Sequence, residues 1–238
     1  MASAQTDIGM ISPIPVHVAI IMDGNVRWAE KHHLSRLEGH RAGTENIRRV
    51  IETLVKYQVK CLTLYAFSTE NWRRPKAEVR ELMQILGRVI KRETKEMHEK
   101  GIKLHHLGRL DRLSPRLQEQ IHYAIDLTKN NNVMTLSVAF DYGGRAEIVE
   151  AVKKITREGL APDMIDEDLF GRYLYSAGLP DPDLIIRTAG ETRLSNFLLW
   201  QSAYSEFYST PVFWPDFNEE EIRKALIAYS KRERNFGG

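Results

Sequence analysis

Short apolar runs, rich in β-branched and aromatic residues, alternate along this chain with longer segments whose apolar positions recur at helical spacing. That alternation constrains the fold more than any other feature. A parallel strand must be followed by a long crossover, and a crossover of this length and period is a helix packed on the sheet. Strands are predicted over 16–22, 61–67, 102–107, 133–140 and 183–187, with a weaker one near 203–208. Helices are predicted over 41–58, 77–100, 114–130, 144–157, 166–176 and 218–232. Ser114-Pro115 and Asp166-Glu167 make good helix starts and Gly101 a good stop. The expectation is an α/β fold: a single domain with a central, mostly parallel sheet of about six strands flanked by helices. A chain of 238 residues suffices for one substantial core. Residues 1–14, small and polar with Pro13 and Pro15 ahead of the first strand, read as a flexible N-terminal arm, and 15–238 as the domain.

Composition narrows the function classes. A net charge of +2 is too small to argue for nucleic acid, so any phosphate recognition must come from locally placed arginines. Cys61 stands alone, which rules out an intramolecular disulfide, argues against a thiolate zinc site and fits a reducing cytoplasm. No segment approaches the ~18–20 apolar residues of a membrane span. The first fifteen residues carry no Lys or Arg and so lack the charged start of a secretory signal. The expected location is cytoplasmic.

The chemistry-bearing stretch is His17–Trp28. An apolar β-run, Val18 to Met22, ends in a lone acid, Asp23, followed by the turn Gly24-Asn25 and a segment of helical character from Arg27. Open α/β sheets bind ligands at the carboxyl ends of their strands, where turn and helix N–H groups attract phosphate. An acid beside an anion-binding loop suggests a phosphorylated substrate carried with Mg²⁺, although an acid here could equally cap a helix. Ser68, Glu70, Asn71, Trp72 and Arg74 follow the second strand, and Arg187, Arg193 and Ser195 follow the fifth, on the same edge if the strands are parallel. The 77–100 segment places Val79, Leu82, Met83, Leu86, Val89, Ile90 and Met97 on one face, either as a core-facing helix or as the wall of an apolar tunnel. There is no Asp-Asp-x-x-Asp, no Gly-x-Gly-x-x-Gly opening a helix and no P-loop, which removes the main support for all-helical prenyltransferase, dinucleotide and ATP readings.

Several blocks, in order along nearly the whole chain, resemble those of the cis-prenyltransferases, the family of undecaprenyl diphosphate synthase. They include Met22-Asp23-Gly24-Asn25-Val26-Arg27-Trp28-Ala29, Glu38–Gly43, Tyr65–Trp72 and Tyr142-Gly143-Gly144-Arg145. Ile186–Glu191, Arg193–Gln201, Trp214-Pro215-Asp216-Phe217 and Arg232–Gly238 complete the set. The resemblance implies condensation of an allylic diphosphate, such as farnesyl diphosphate, with isopentenyl diphosphate to give a Z-polyprenyl diphosphate. It implies Mg²⁺ on Asp23 and Glu206, with the allylic diphosphate on Gly24, Asn25, Val26, Arg27 and Trp28, near Arg36 and His40. It places the second diphosphate on Arg187, Arg193, Leu194 and Ser195, and the loop Ser68, Thr69, Glu70, Asn71, Trp72 and Arg74 beside the reacting carbons. Ser68 and Asn71 would help remove the C2 proton. It further implies a homodimer, an apolar tunnel for the product beneath 77–100, and passing contact of the product-laden enzyme with a membrane surface. The small Ala66 beside the second strand's active end would leave that tunnel open, which favours a long product such as the undecaprenyl chain.

Four positions depart from the family pattern. Val26 replaces a glycine; if that position requires φ > 0, valine would cost about 1–3 kcal/mol or shift the loop, weakening allylic binding. Ala189 replaces a glycine, Thr192 stands where histidine is common, and Asn235 where arginine is common. These departures motivate a rival reading, a non-catalytic subunit that binds prenyl diphosphate. An enzyme with a shorter product, or with a different prenyl acceptor, is also compatible with the residues.

Overall fold

The run His-Val-Ala-Ile-Ile is buried at every position, with no polar alternation, as a strand covered on both faces requires. It forms β1 (His17–Ile21) near the middle of a sheet completed by β2 (Cys61–Ser68), β3 (Ile102–Leu107), β4 (Met134–Tyr142), β5 (Leu184–Arg187) and β6 (Glu206–Ser209). The order is β3-β4-β2-β1-β5-β6, and every neighbouring pair is parallel rather than mostly so. The computed structural model describes residues 11–233.

Among the described residues, seven α-helices surround the sheet: α1 (Asn25–Lys31), α2 (Arg36–Lys56), α3 (Lys76–Glu99), α4 (Pro115–Thr128), α5 (Gly144–Glu158), α6 (Glu167–Gly171) and α7 (Glu219–Ser230). Successive β1 side chains point to opposite faces. Val18 and Ile20 enter a core with Val50, Ile51 and Leu54 of α2 and Leu226 of α7. Ala19 and Ile21 enter a second core with Ile185, Phe197 and Leu198. The chain runs from β1 to β2 on one side, whereas β5 and β6 lie on the other. The carboxyl ends of β1 and β5 therefore meet at a topological switch point, where a crevice is expected.

Some boundaries differ from the sequence reading. The helix predicted over 41–58 begins at Arg36, because Ser35 and Glu38 form a capping box: the Ser35 N–H donates to Glu38 Oε2 at 2.8 Å and the Glu38 N–H to Ser35 Oγ at 3.3 Å. The helix predicted over 166–176 is only Glu167–Gly171, and turns carry the apolar period onward. Of the predicted arm, residues 1–10 lie outside the described residues; Ile11 is buried in the main core and Ile14 packs against it.

Of the 24 residues of α3, only Thr94 and Met97 are buried. The helix bridges to the sheet through a third core, in which its half-buried Leu82, Leu86 and Ile90 pack near Phe67, Ile121 and Phe140. Between α3, α2 and the sheet lies a cavity of about 460 Å³.

Candidate active site

The site begins with backbone register. Ile21 pairs with Arg187, so the loop after β1 emerges beside the end of β5. Thr188 locks the two loops together: its Oγ1 accepts from the Asp23 N–H at 2.9 Å and donates to the Asp23 carbonyl at 2.7 Å. Arg187 Nη2 then donates to Asp23 Oδ2 at 2.9 Å, and its Nη1 donates to Ser195 Oγ at 2.7 Å and to the Arg193 carbonyl. Burial pushes the Asp23 carboxyl up, but the Arg187 hydrogen bond and charge outweigh it and hold it below the ordinary carboxylate value. Asp23 is therefore ionised at neutral pH. Its Oδ1 accepts from the Gly24 N–H at 2.7 Å and from Arg27 Nη2 at 3.3 Å.

The turn after Asp23 is held from behind. Gly24 takes φ +100°, and a Cβ there would press on the Phe213 ring and on Ala189. A Cβ at Gly39 or Gly43 of α2 would overlap the Asn25 carbonyl or its Oδ1, so these two glycines let the helix press directly on the loop. Three buried polar atoms here lack partners among the described residues: Asn25 Oδ1, His40 Nε2 and Arg187 Nε. Each unmade hydrogen bond costs about 1–3 kcal/mol, and their grouping at one end of a cavity marks where a polar ligand belongs. Burial, then the charge of Arg74, lowers the His40 pKa, so the imidazole is neutral at pH 7.

The predicted residues separate into those that line the cavity and those that do not. Asp23, Asn25, His40 and Arg187 line its polar end with Ser68, Asn71, Arg74 and Ser195. Ser68 and Asn71 hold each other, the Ser68 N–H donating to Asn71 Oδ1 at 3.0 Å in a capping box of the 3₁₀ turn Thr69–Arg73. Arg74 pairs with Glu78 at 2.9 Å. Arg27 and Arg193 stand outside the cavity beside the Asp23 loop, and both pair with Glu191, Arg27 at 3.5 Å. These pairs are partly exposed and so exchange at modest cost.

The other predicted residues lie outside the cavity lining. The Trp28 indole donates to Asp216 Oδ1 at 2.8 Å and stacks on His32, outside the cavity. Trp72 donates to Asp141 Oδ1 at 2.7 Å and packs edge-on to Phe67. Leu194 packs into the second core, and Glu70 and Thr69 bind each other, with Glu70 also accepting from Asn196 at 2.8 Å. Arg36 is exposed, 3.8 Å from Glu78. Val26 lies within helix α1 and has no positive φ, so the expected strain is absent; Gly24 makes the turn instead. Ala189 does carry the strain, at φ 70°, and Thr192 is exposed.

Glu206 requires a correction. It opens β6, level with Leu184 at the amino end of β5, whereas Asp23 lies beyond the carboxyl end of β1. Its carboxylate pairs with Arg232. Within one chain the two acids sit at opposite edges of the sheet and cannot share an ion. Among the described residues, no three His, Cys, Asp or Glu side chains gather as metal ligands. Asp23 alone still suits Mg²⁺, which commonly takes one or two carboxylates and completes its shell with substrate phosphates and water.

Sequence reasoning missed the supports. Asp141, buried and at φ 52°, accepts from Trp72 and from Arg112, Nε to Oδ2 at 2.9 Å, and so anchors the Thr69–Arg73 turn. Asn196, also left-handed at φ 64°, accepts from the Gly144 N–H at 2.7 Å and the Arg145 N–H at 2.9 Å. The Tyr142–Arg145 block was the available signal: a Cβ at Gly143 would press on Thr69 and Asn196.

A family profile described as "Putative undecaprenyl diphosphate synthase" matches residues 21–237. The chain is 51% identical over 229 residues to an isoprenyl transferase of Heliobacterium mobile, covering 94% of this chain and 88% of that protein. It is 46% identical over 228 residues to a protein of Legionella pneumophila named ditrans,polycis-undecaprenyl-diphosphate synthase ((2E,6E)-farnesyl-diphosphate specific), covering 94% and 96%. Among solved structures, lavandulyl diphosphate synthase from Lavandula x intermedia, in complex with dimethylallyl diphosphate, superimposes with a TM-score of 0.91 at 40% identity, covering 94% of this chain and 99% of that one. A probable undecaprenyl diphosphate synthase from Campylobacter jejuni gives 0.80 at 30% identity, with the same coverage.

Proposed function

The chain belongs to the undecaprenyl diphosphate synthase family, and we propose that its Asp23–Arg187 rim holds the two diphosphates while the cavity beneath α3 takes the hydrocarbon. It is a cis-prenyltransferase that joins an allylic diphosphate such as farnesyl diphosphate to isopentenyl diphosphate, forming Z double bonds. The observation that carries the residue assignment is the placing of one ionised acid and one buried guanidinium across the switch point, at one polar end of a cavity lined mostly by apolar side chains, with Glu45, Arg48, Arg92 and Glu93 elsewhere in its lining.

Asn25, Arg27 and His40 bind the allylic diphosphate, and Arg187, Arg193 and Ser195 bind that of isopentenyl diphosphate, with guanidinium forks matched to phosphate oxygens. The exposed Glu191 pairs of Arg27 and Arg193 give way to these anions. Asp23 would hold Mg²⁺, which when bound draws charge from the leaving diphosphate. The allylic C–O bond breaks, the new C–C bond forms, and the C2 proton departs. Asn71, a neutral amide tied to Ser68, orients the reacting carbons, and the released diphosphate takes the proton. Hydrocarbon entering the cavity gains about 0.8 kcal/mol per buried methylene, which retains the growing chain between additions.

Ala66 lines the cavity and is exposed to it, which supports a long product such as undecaprenyl diphosphate. A homodimer, a cytoplasmic location and contact with a membrane surface complete the proposal; no described helix is long and apolar enough to cross a membrane. Incubating the protein with Mg²⁺ and both diphosphates should give elongation that EDTA abolishes. Elongation undiminished by EDTA would overturn the assignment of Asp23 as a metal ligand.

A further inference from the structure

Charge on this chain is unevenly spread. Residues 27–41 and 71–80 together hold eight lysines and arginines against three glutamates, an excess of five in a chain whose net charge is +2. These segments are neighbours in space: Arg36, at the start of α2, reaches Glu78, at the start of α3, at 3.8 Å, and Arg74 reaches the same Glu78 at 2.9 Å. Arg74 and His40 line the cavity, so the segments form a collar around its polar mouth.

Part of this collar is not used by the site. Arg73, Lys76 and Arg80 are exposed, lie outside the cavity lining and have no acidic partner among the described residues. Lys76 and Arg80 are one helical turn apart and share a face. Further along α3, Arg92 pairs with Glu45 at 2.9 Å and Lys95 with Glu99 at 3.8 Å, while the exposed Arg88 and Lys91, on the same side as Lys76 and Arg80, continue the stripe without an acidic partner among the described residues. The turn before Arg36 adds an apolar tip, Leu34, which is 40% exposed. A soluble diphosphate calls for convergent donors such as Arg187 and Ser195. Unpaired cations spread over an outer face instead complement a plane of anionic lipid headgroups.

We propose that the collar formed by Arg73, Lys76 and Arg80, with Leu34, docks the cavity mouth on an anionic lipid surface, so that the polyprenyl product passes from cavity to bilayer without crossing water. This rests on the cavity's role as the product channel. Each cation near an anionic surface strengthens binding about fivefold, so removing three should weaken it about a hundredfold.

The test is co-sedimentation of the full chain with vesicles of phosphatidylcholine alone, or of phosphatidylcholine with a quarter phosphatidylglycerol. The wild type should bind the second, lose that binding at high salt and ignore the first. The triple variant Arg73→Gln, Lys76→Gln, Arg80→Gln should bind about a hundredfold less, while Lys129→Gln, Lys153→Gln, Arg157→Gln, with the same loss of charge elsewhere, should bind as wild type. Elongation of farnesyl diphosphate without vesicles should be unchanged in the triple variant. Equal binding to neutral vesicles, no binding by wild type, or equal weakening by both variants would overturn the docking surface. So would loss of vesicle-free turnover in the Arg73/Lys76/Arg80 variant, which would make these residues part of substrate capture. Absence of elongation in the wild type, whatever its vesicle binding, would instead count against the enzymatic reading.

Discussion

Asp23 and Arg187 lie 164 positions apart, yet a single parallel register brings their side chains to 2.9 Å. Both were legible in the sequence because each follows an apolar strand, and parallel strands deliver such residues to one edge. Their supports were not legible. Thr188, Asp141 and Arg112 act through partners far away in sequence, and nothing in their own neighbourhoods announces those bonds. Ala189 shows what local chemistry does predict. Its φ of 70° disfavours any residue with a Cβ, and it packs against Gly24. Ala189→Gly should raise stability by about 1 kcal/mol, measured as a shift in urea midpoint; a loss of stability would show that packing of the methyl outweighs backbone strain. Histidine titration gives a second expectation. Burial lowers the pKa of His17, His40, His105 and His106, the last to about 4. For each, the unfolded chain binds the proton first as pH falls, so its contribution is full above about 6.5 and is lost on the way down to the folded value. Thermal midpoints should therefore fall between about pH 6.5 and 4.5; a flat profile would contradict the burial of these rings.

At the scale of elements, the strands were the readable part because burial on both faces leaves continuous apolar runs. Helix boundaries were less so. Apolar period alone starts α2 at 41 although Ser35-x-x-Glu38 is a capping signature, because Gly39 and Gly43 weaken the helical pattern. Those glycines are needed for closeness rather than freedom: neither has positive φ, and each lies where the Asn25 loop touches the helix. Gly43→Ala should therefore cost about 1–3 kcal/mol through overpacking despite alanine's better helix propensity. It should also raise the KM for the allylic diphosphate more than it lowers stability-corrected kcat. Improved stability with unchanged KM would mean that Asn25 moves aside freely. Similarly, the sequence makes α6 too long because Tyr173 and Leu174 continue the apolar spacing through turns that bury Leu174 and half-bury Tyr173 without a helix.

At the scale of the molecule, the α/β architecture and the cavity follow from the same arrangement: α3, only partly buried along most of its length, covers apolar strand surface it does not fill. Ala66 occupies a bulge there; Tyr65 pairs with Ala139 and Phe67 with Phe140, leaving Ala66 between them without a partner. Its methyl faces the cavity, so Ala66→Leu should shorten the product, read by mass spectrometry, and an unchanged length would show that the chain does not pass this residue. The position of Glu206 was the least legible, since family spacing says nothing about which sheet edge a strand residue occupies. It opens its strand, and the site lies where strands end.

A double-mutant cycle on kcat/KM with Asp23→Asn and Arg187→Gln tests the rim most directly. Each single change should cost about 10²–10³-fold, and the double variant little more than the worse single, because the two groups act on substrate as one unit. Losses that multiply independently, or a single variant near wild-type activity, would contradict it.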